Sequence, residues 1–164
     1  MISKAQLQNL LITGRNECYV KKSSINNPYI TGDVYDWHFE LKQVQYTFTD
    51  SYRGSNPYSG VEYLYIQGQQ TPIWSCDYVG YALENPFVVE KEIYGFLKKA
   101  RGSHLLSCDR NFMTDYSYKD GDFSYQTTFS GSLNFLLQIE EIHFCDSLVG
   151  RQVSAGYLKE WKDV

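Results

Sequence analysis

The chain has 164 residues, 43% hydrophobic and 21% charged, which fits one globular domain and argues against disorder. Its net charge of −4 and isoelectric point near 5.3 argue against binding to nucleic acid or an anionic membrane, which needs a basic face. A chain this long buries well over half its surface on folding, so no metal or disulfide staple is required.

The opening, MISKAQLQNLLITG, lacks a basic stretch leading into an apolar one, so no secretory signal is expected. No segment approaches the ~18 apolar residues of a membrane span. A soluble cytoplasmic protein is the expectation. Ser3-x-x-Gln6 reads as a capping box, and Leu7, Leu10 and Leu11 form an apolar stripe before Gly14. These marks predict a first helix.

Aromatic and polar residues then alternate over 39–48, the pattern of hairpin arms. DSYRGSNPYSG at 50–60 interrupts the alternation and reads as an inserted loop. Gly60 opens a third strand, VEYLYIQ, and the turn GQQTP leads to a fourth, PIWSCDYVGYAL, with Pro72 suited to its start. Asn85 as cap, Pro86 at the first helical position and Gly102 past the end predict a helix over 86–101. Val89, Ile93, Phe96, Leu97 and Ala100 share one face of it. Glu90 and Glu92 at its start and Lys98, Lys99 and Arg101 at its end suit the helix dipole. Alternation resumes over 116–125, with Asp120-Gly121 as a type I′ hairpin signal. SLNFLLQ and IHFCDSLVGRQV read as two further strands, and a short last helix is predicted around 157–161.

The second set of strands reads as a copy of the first. Phe39 matches Tyr116, Tyr46 matches Phe123, Gly60 matches Gly131, Cys76 matches Cys145 and Asp77 matches Asp146. The expected fold is α+β in a single domain over 1–164. An antiparallel sheet is built from two repeated β-meander halves, 37–82 and 114–153, with the N-terminal and connecting helices packed on it. The copies differ where Asp50 faces Thr127, Glu62 faces Leu133 and Trp74 faces His143, and where the loop with Tyr52, Arg53 and Asn56 has no counterpart. Residues carried by one copy alone are the better candidates for function.

Four cysteines, Cys18, Cys76, Cys108 and Cys145, read as reduced thiols of the core. None forms a Cys-x-x-Cys pair, so no metal site and no cofactor are expected. Fifteen tyrosines in an aromatic content of 16% suit both half-buried sheet surfaces and recognition surfaces. If the third and fourth strands pair, Glu62 and Trp74 share a surface with the loop folded over it. Asp50, Tyr52, Arg53, Tyr58, Glu62, Trp74 and Tyr78 are the candidate ligand-binding residues. Arg53 would take an anion, Asp50 and Glu62 would accept from donors, and Trp74 and Tyr52 would stack. The same residues also have structural readings. Asp50 suits binding of turn backbone N–H groups, Arg53 and Glu62 suit a pair pinning the loop, and Trp74 suits the core.

At these residues the chain resembles the bacterial family domain of unknown function 5680. The motifs are Tyr46-x-Phe48-x-Asp50-Ser51-Tyr52-x-Gly54, then Tyr58-x-Gly60-x-Glu62, then Pro72-x-Trp74-x-x-x-Tyr78-x-Gly80. The likeness covers roughly 37–150. Some members carry the domain behind an XRE-type helix-turn-helix. About 36 residues precede the match here, too few for that module, so DNA binding does not carry over. The resemblance implies a fold and no activity.

Two functions compete. One is a non-catalytic binding module that holds a small polar ligand or a protein partner on the aromatic, acidic face of the first half. The other is a small enzyme with Asp50 or Glu62 as general base and Arg53 holding an anionic substrate. The aromatic face would also serve a homodimer.

Overall fold

The computed structural model describes residues 3–21 and 34–159. Helix α1 (Lys4–Arg15) runs into a π-helical turn (Asn16–Val20). Four strands follow: β1 (Trp37–Lys42), β2 (Tyr46–Gly54), β3 (Tyr58–Ile66) and β4 (Trp74–Ala82). Helix α2 (Glu90–Ser107) connects them to β5 (Tyr116–Asp120), β6 (Phe123–Ser132), β7 (Phe135–Phe144) and β8 (Ser147–Leu158). The fold class is α+β. Each set of four is a meander, and the two meet where β4 pairs with β8, giving one antiparallel sheet in the order β1-β2-β3-β4-β8-β7-β6-β5.

Local chemistry sets the elements. The Ser3 hydroxyl accepts from the Gln6 backbone N–H at 3.2 Å while Gln6 Oε1 accepts from the Ser3 N–H at 2.7 Å, so the capping box forms as expected. Gly14 does not end α1. A Cβ there would lie 2.5 Å from Phe48 Cγ, so the glycine lets the helix rest directly on the Phe48 ring. Helix α2 starts at Glu90, later than the Asn85–Pro86 signal predicts, because Asn85 Oδ1 accepts from the Phe87 N–H and closes a local turn instead. The cap is the Glu92 carboxylate, which accepts from the Val89 N–H at 3.1 Å. Gly102 lies inside the helix, facing Val20, and α2 continues to Ser107.

Strand burial follows a period of two, most plainly in β4 and β7, so one sheet face meets the helices and the other is open. Leu7 and Leu11 pack with Phe39, Phe48, Leu64 and Trp74, while Ile93, Phe96, Leu97 and Ala100 pack with Tyr125, Ile142 and Val149. Each such side chain contributes roughly 1.5–3 kcal/mol on burial, so apolar contact holds the helices to the sheet.

Several expectations about the second half and the loop are corrected by the register. DSYRGSNPYSG is not an insertion: β2 runs through Gly54, the turn is Ser55-Asn56-Pro57, and β3 begins at Tyr58. Asp50 faces Glu62, and Thr127 faces Glu140, so the second hairpin is one residue longer between these pairs, not shorter by a missing loop. The residue paired with Thr127 is thus Glu140, and Leu133 lies in the β6–β7 turn. Gly131, one residue before the end of β6, has φ +87, as Gly54 at the end of β2 has φ +76, whereas Gly60 lies within β3. Cys145 and Asp146 form a two-residue hairpin turn with φ +45 and +63, which splits the predicted strand IHFCDSLVGRQV into the end of β7 and the start of β8. Cys145 is exposed there, whereas Cys76 is buried within β4 and faces Glu62. The β5–β6 turn is Gly121-Asp122 with positive φ at Gly121 alone, a type II′ pattern rather than I′. Tyr157 and Leu158 belong to β8 and Lys159 is not helical, so the predicted last helix does not form there; 160–161 lie outside the described residues. Among the described residues no helix is long and apolar enough to cross a membrane.

Candidate functional site

The helix-facing side of the sheet carries charge at its centre. Glu62 on β3 and Glu140 on β7 are 0% and 2% exposed. Buried carboxylates are tolerated only when paired and hydrogen-bonded, and each has an arginine from a helix. Arg15, the last residue of α1, reaches Glu62 through Nε at 3.0 Å and Nη2 at 3.0 Å, and its Nη1 donates to Gln138 at 3.3 Å. Tyr19 from the π-helical turn and Trp74 Nε1, the latter at 3.4 Å, also donate to Glu62. Arg101 of α2 holds both oxygens of Glu140 at 2.8 and 2.6 Å and reaches Gln152 at 2.8 Å; Tyr125 donates to Glu140 at 2.7 Å. Burial by itself raises the Glu140 pKa, but the Arg101 charge and the bonds from Arg101 and Tyr125 overcome it and hold the carboxyl below its usual value.

Beside this network lies a cavity of about 300 Å³, between the outer half of β2–β4, the π-helical turn and α2. Tyr19, Tyr52, Tyr58, Tyr78 and Tyr94 line it, with Asp50 at its floor and Trp37 and Glu90 among its walls. The rings touch in sequence, Tyr19 with Tyr78 at 6.4 Å, Tyr78 with Tyr58 at 6.2 Å and Tyr58 with Tyr94 at 5.8 Å, all edge to face. Their hydroxyls are tied down: Tyr78 to Asp50 Oδ1 at 2.7 Å, Tyr58 to Gln152 Oε1 at 2.7 Å, Tyr94 to the Ser55 carbonyl at 3.0 Å and Tyr19 to Glu62. Burial, then the neighbouring carboxylates, pushes the Tyr19 and Tyr78 hydroxyls well above the usual phenol range, and Tyr52 is pushed up to about 12, so all three stay protonated at neutral pH. Next to the lining residue Ser55, Asn56 ties the β2–β3 turn to β4: its amide donates to the Ala82 carbonyl at 3.0 Å, accepts from the Ala82 N–H at 2.9 Å, and reaches Glu90 of the cavity wall at 3.2 Å.

The seven sequence candidates divide three ways. Asp50, Tyr52, Tyr58 and Tyr78 meet at the cavity. Glu62 and Trp74, both 0% exposed, lie behind it in the arginine network. Arg53 falls on the opposite sheet face, one residue out of phase with Asp50 and Tyr52, and its guanidinium lies 5.1 Å over the Tyr35 ring. Sequence reasoning missed Arg15, Tyr19, Tyr94 and Arg101. A usable signal was present: Arg15 continues the Leu7–Leu11 row of α1 and Arg101 the Ile93–Leu97 row of α2, each a charge at i+4 on an apolar stripe. Among the described residues no group of three or more His, Cys, Asp or Glu could hold a metal. Cys76 is buried beside Arg15, and burial together with the Glu62 charge pushes its thiol far up, which suppresses nucleophilic chemistry.

The rings make one further demand. Tyr58 lies flat against β4 at Gly80, where a Cβ would sit 2.4 Å from the phenol carbon and oxygen. Gly80→Ala should therefore destabilise the fold by roughly 1–3 kcal/mol, a midpoint drop of about 2–12 °C in thermal melts. In a Tyr58→Ala background the same substitution should cost much less, because the colliding ring is gone; an equal cost in both backgrounds would refute the packing argument.

No curated protein and no solved structure matches the chain. One family model does, that of a domain of unknown function (DUF5680), over residues 50–158. That span holds the cavity's β2–β4 wall, helix α2 and the whole second meander, and the chain belongs to the DUF5680 family.

Proposed function

We propose that the protein is a non-catalytic binding module that holds a small ligand in the tyrosine-lined cavity. The observation that carries this reading is preorganisation. A cavity of about 300 Å³ is walled by rings whose polar tips are already bound to the framework, so little order need be created when a ligand enters. The volume is at the small end of the ~300–1,000 Å³ range of small-molecule sites. A general base would need a carboxylate free to take a substrate proton. Glu62 is held by Arg15, Tyr19 and Trp74, which favours binding over acid/base chemistry. The reading includes a cytoplasmic location, which four free thiols support. It also includes descent of the two halves from one helix-plus-meander unit. Support comes from the register, which sets Glu62 with Arg15 in one half where Glu140 stands with Arg101 in the other.

The test is a titration of isotope-labelled protein with a fragment set of aromatic, amine and carboxylate compounds, read by backbone amide shifts. The expected result is a cluster of shifts at Tyr19, Tyr52, Tyr58, Tyr94 and Leu97. Shifts confined to the open sheet face, or none across the set, overturn the reading.

A further inference from the structure

We infer that the cavity takes an uncharged two-ring aromatic compound with a hydrogen-bond acceptor that Arg101 receives; this rests on the cavity being the binding site. A protein cavity of about 150 Å³ holds one benzene ring, so the volume of about 300 Å³ here suits two fused rings. The walls suit rings as well. Tyr19, Tyr58, Tyr78 and Tyr94 spend their O–H donors on the framework. Their edge-to-face chain leaves ring faces and edges for a further aromatic body.

Arg101 supplies the polar contact. A guanidinium carries one N–H on Nε and two on each Nη. Glu140 accepts from Nε and Nη2, and Gln152 also accepts from Nη2, so the Nη1 donors are turned away from Glu140. Burial raises the Tyr58 pKa, and Arg101 opposes it through its charge and a hydrogen bond. With that bond counted, one Nη1 N–H is still without a partner among the described residues. Arg101 borders this cavity and, behind it, a chamber of about 20 Å³ that holds no more than a water molecule, so a ligand meets the guanidinium from the cavity. Its charge is already matched by the two-oxygen grip on Glu140. A carboxylate would give up its hydration for a cation that another carboxylate holds, whereas a neutral carbonyl gives up far less. Lys98 also borders the cavity, as a hydrated ammonium on a flexible stem, while Glu140 and Gln152 lock Arg101 in place.

The experiment is an amide-shift titration of the full chain with three probes: 1-indanone, indane, which is the same bicycle without the carbonyl, and indane-1-carboxylate. 1-Indanone should bind with shifts at Tyr19, Tyr58 and Leu97. Arg101→Lys keeps a cation for Glu140 and removes the spare donor, so it should weaken 1-indanone roughly tenfold and indane by less than about twofold. Equal losses, or none, overturn the role of Arg101 and leave the cavity standing as a binding site. If the variant does not fold, the guanidinium N–H signals of Arg101 in the wild type decide: they should move with 1-indanone and stay with indane, and equal movement overturns the contact. Tighter binding of the carboxylate than of the ketone overturns the uncharged ligand. Failure of all three probes while other fragments bind at the cavity overturns the two-ring class alone. Failure of the probes and of every fragment overturns the cavity as well.

Discussion

Arg15→Ala should lower the thermal midpoint by about 6–20 °C, the largest effect expected of any single truncation in the chain. Removing one partner of a buried pair strands the other charge, at a cost of about 3–5 kcal/mol, and each kcal/mol shifts the midpoint by about 2–4 °C at this size. Glu62 cannot escape the penalty by turning to water, since its side chain is 0% exposed and the Arg15 side chain 6%. The loss also frees Gln138, across the sheet on β7, and uncovers the Phe112 ring, which lies 4.4 Å from the guanidinium. Arg15→Met combined with Glu62→Gln should recover part of the loss, because no bare charge is then left inside. The recovery would stay incomplete, as Tyr19 and Trp74 keep donors aimed at an amide where a carboxylate stood. A drop under about 2 °C for Arg15→Ala would show that α1 is held by its leucines alone.

The expected large drop would also place Glu62 with the architecture rather than with ligand recognition. Its position explains why the sequence pointed at it without naming its partner. Glu62 sits in a strand that reads correctly from period-two alternation, and its face could be assigned from that alone. The partner comes from a helix 47 positions away, and no local pattern links them. Arg101 invites a misreading for a different reason. In sequence it looks like a helix-end cation serving the dipole before Gly102, yet α2 runs on to Ser107 and carries that arginine into the core.

The alternating strands and the capping box were legible because their signals are local. The matching of one half to the other was not, because Cys-Asp occurs in both halves in opposite roles, within β4 at Cys76 and at the tip of a hairpin at Cys145. A match by residue identity followed the wrong pair. Burial would have arbitrated, since Cys76 is 1% exposed and Cys145 is open to solvent. The cavity was half legible. Its strand residues carried alternation, while Tyr19 and Tyr94 had no mark separating them from any other helical tyrosine.

The second large effect falls on Arg101 and changes with pH. Arg101→Ala should cost about 3 kcal/mol at neutral pH, a drop of about 6–12 °C, at the lower end of the range because the Arg101 side chain is 14% exposed and water can follow it in. In the wild type, Glu140 has its pKa lowered in the fold, so its contribution is present above the unfolded carboxyl value of about 4.5 and is lost as pH falls through the folded one. Without Arg101, burial acts on Glu140 with only Tyr125 and the more distant Arg15 to oppose it, and the folded pKa rises above the unfolded value. The linkage then reverses: acidification protonates a carboxyl that the variant cannot keep charged, and part of the penalty is relieved. The gap between wild type and Arg101→Ala should therefore narrow between pH 7.5 and pH 5. His104, whose pKa burial lowers from 6.5, costs both proteins stability as pH falls below that value, so the difference in midpoint is the quantity to read. A gap that stays constant or widens on acidification would show that Glu140 is not charged against Arg101 in the folded protein.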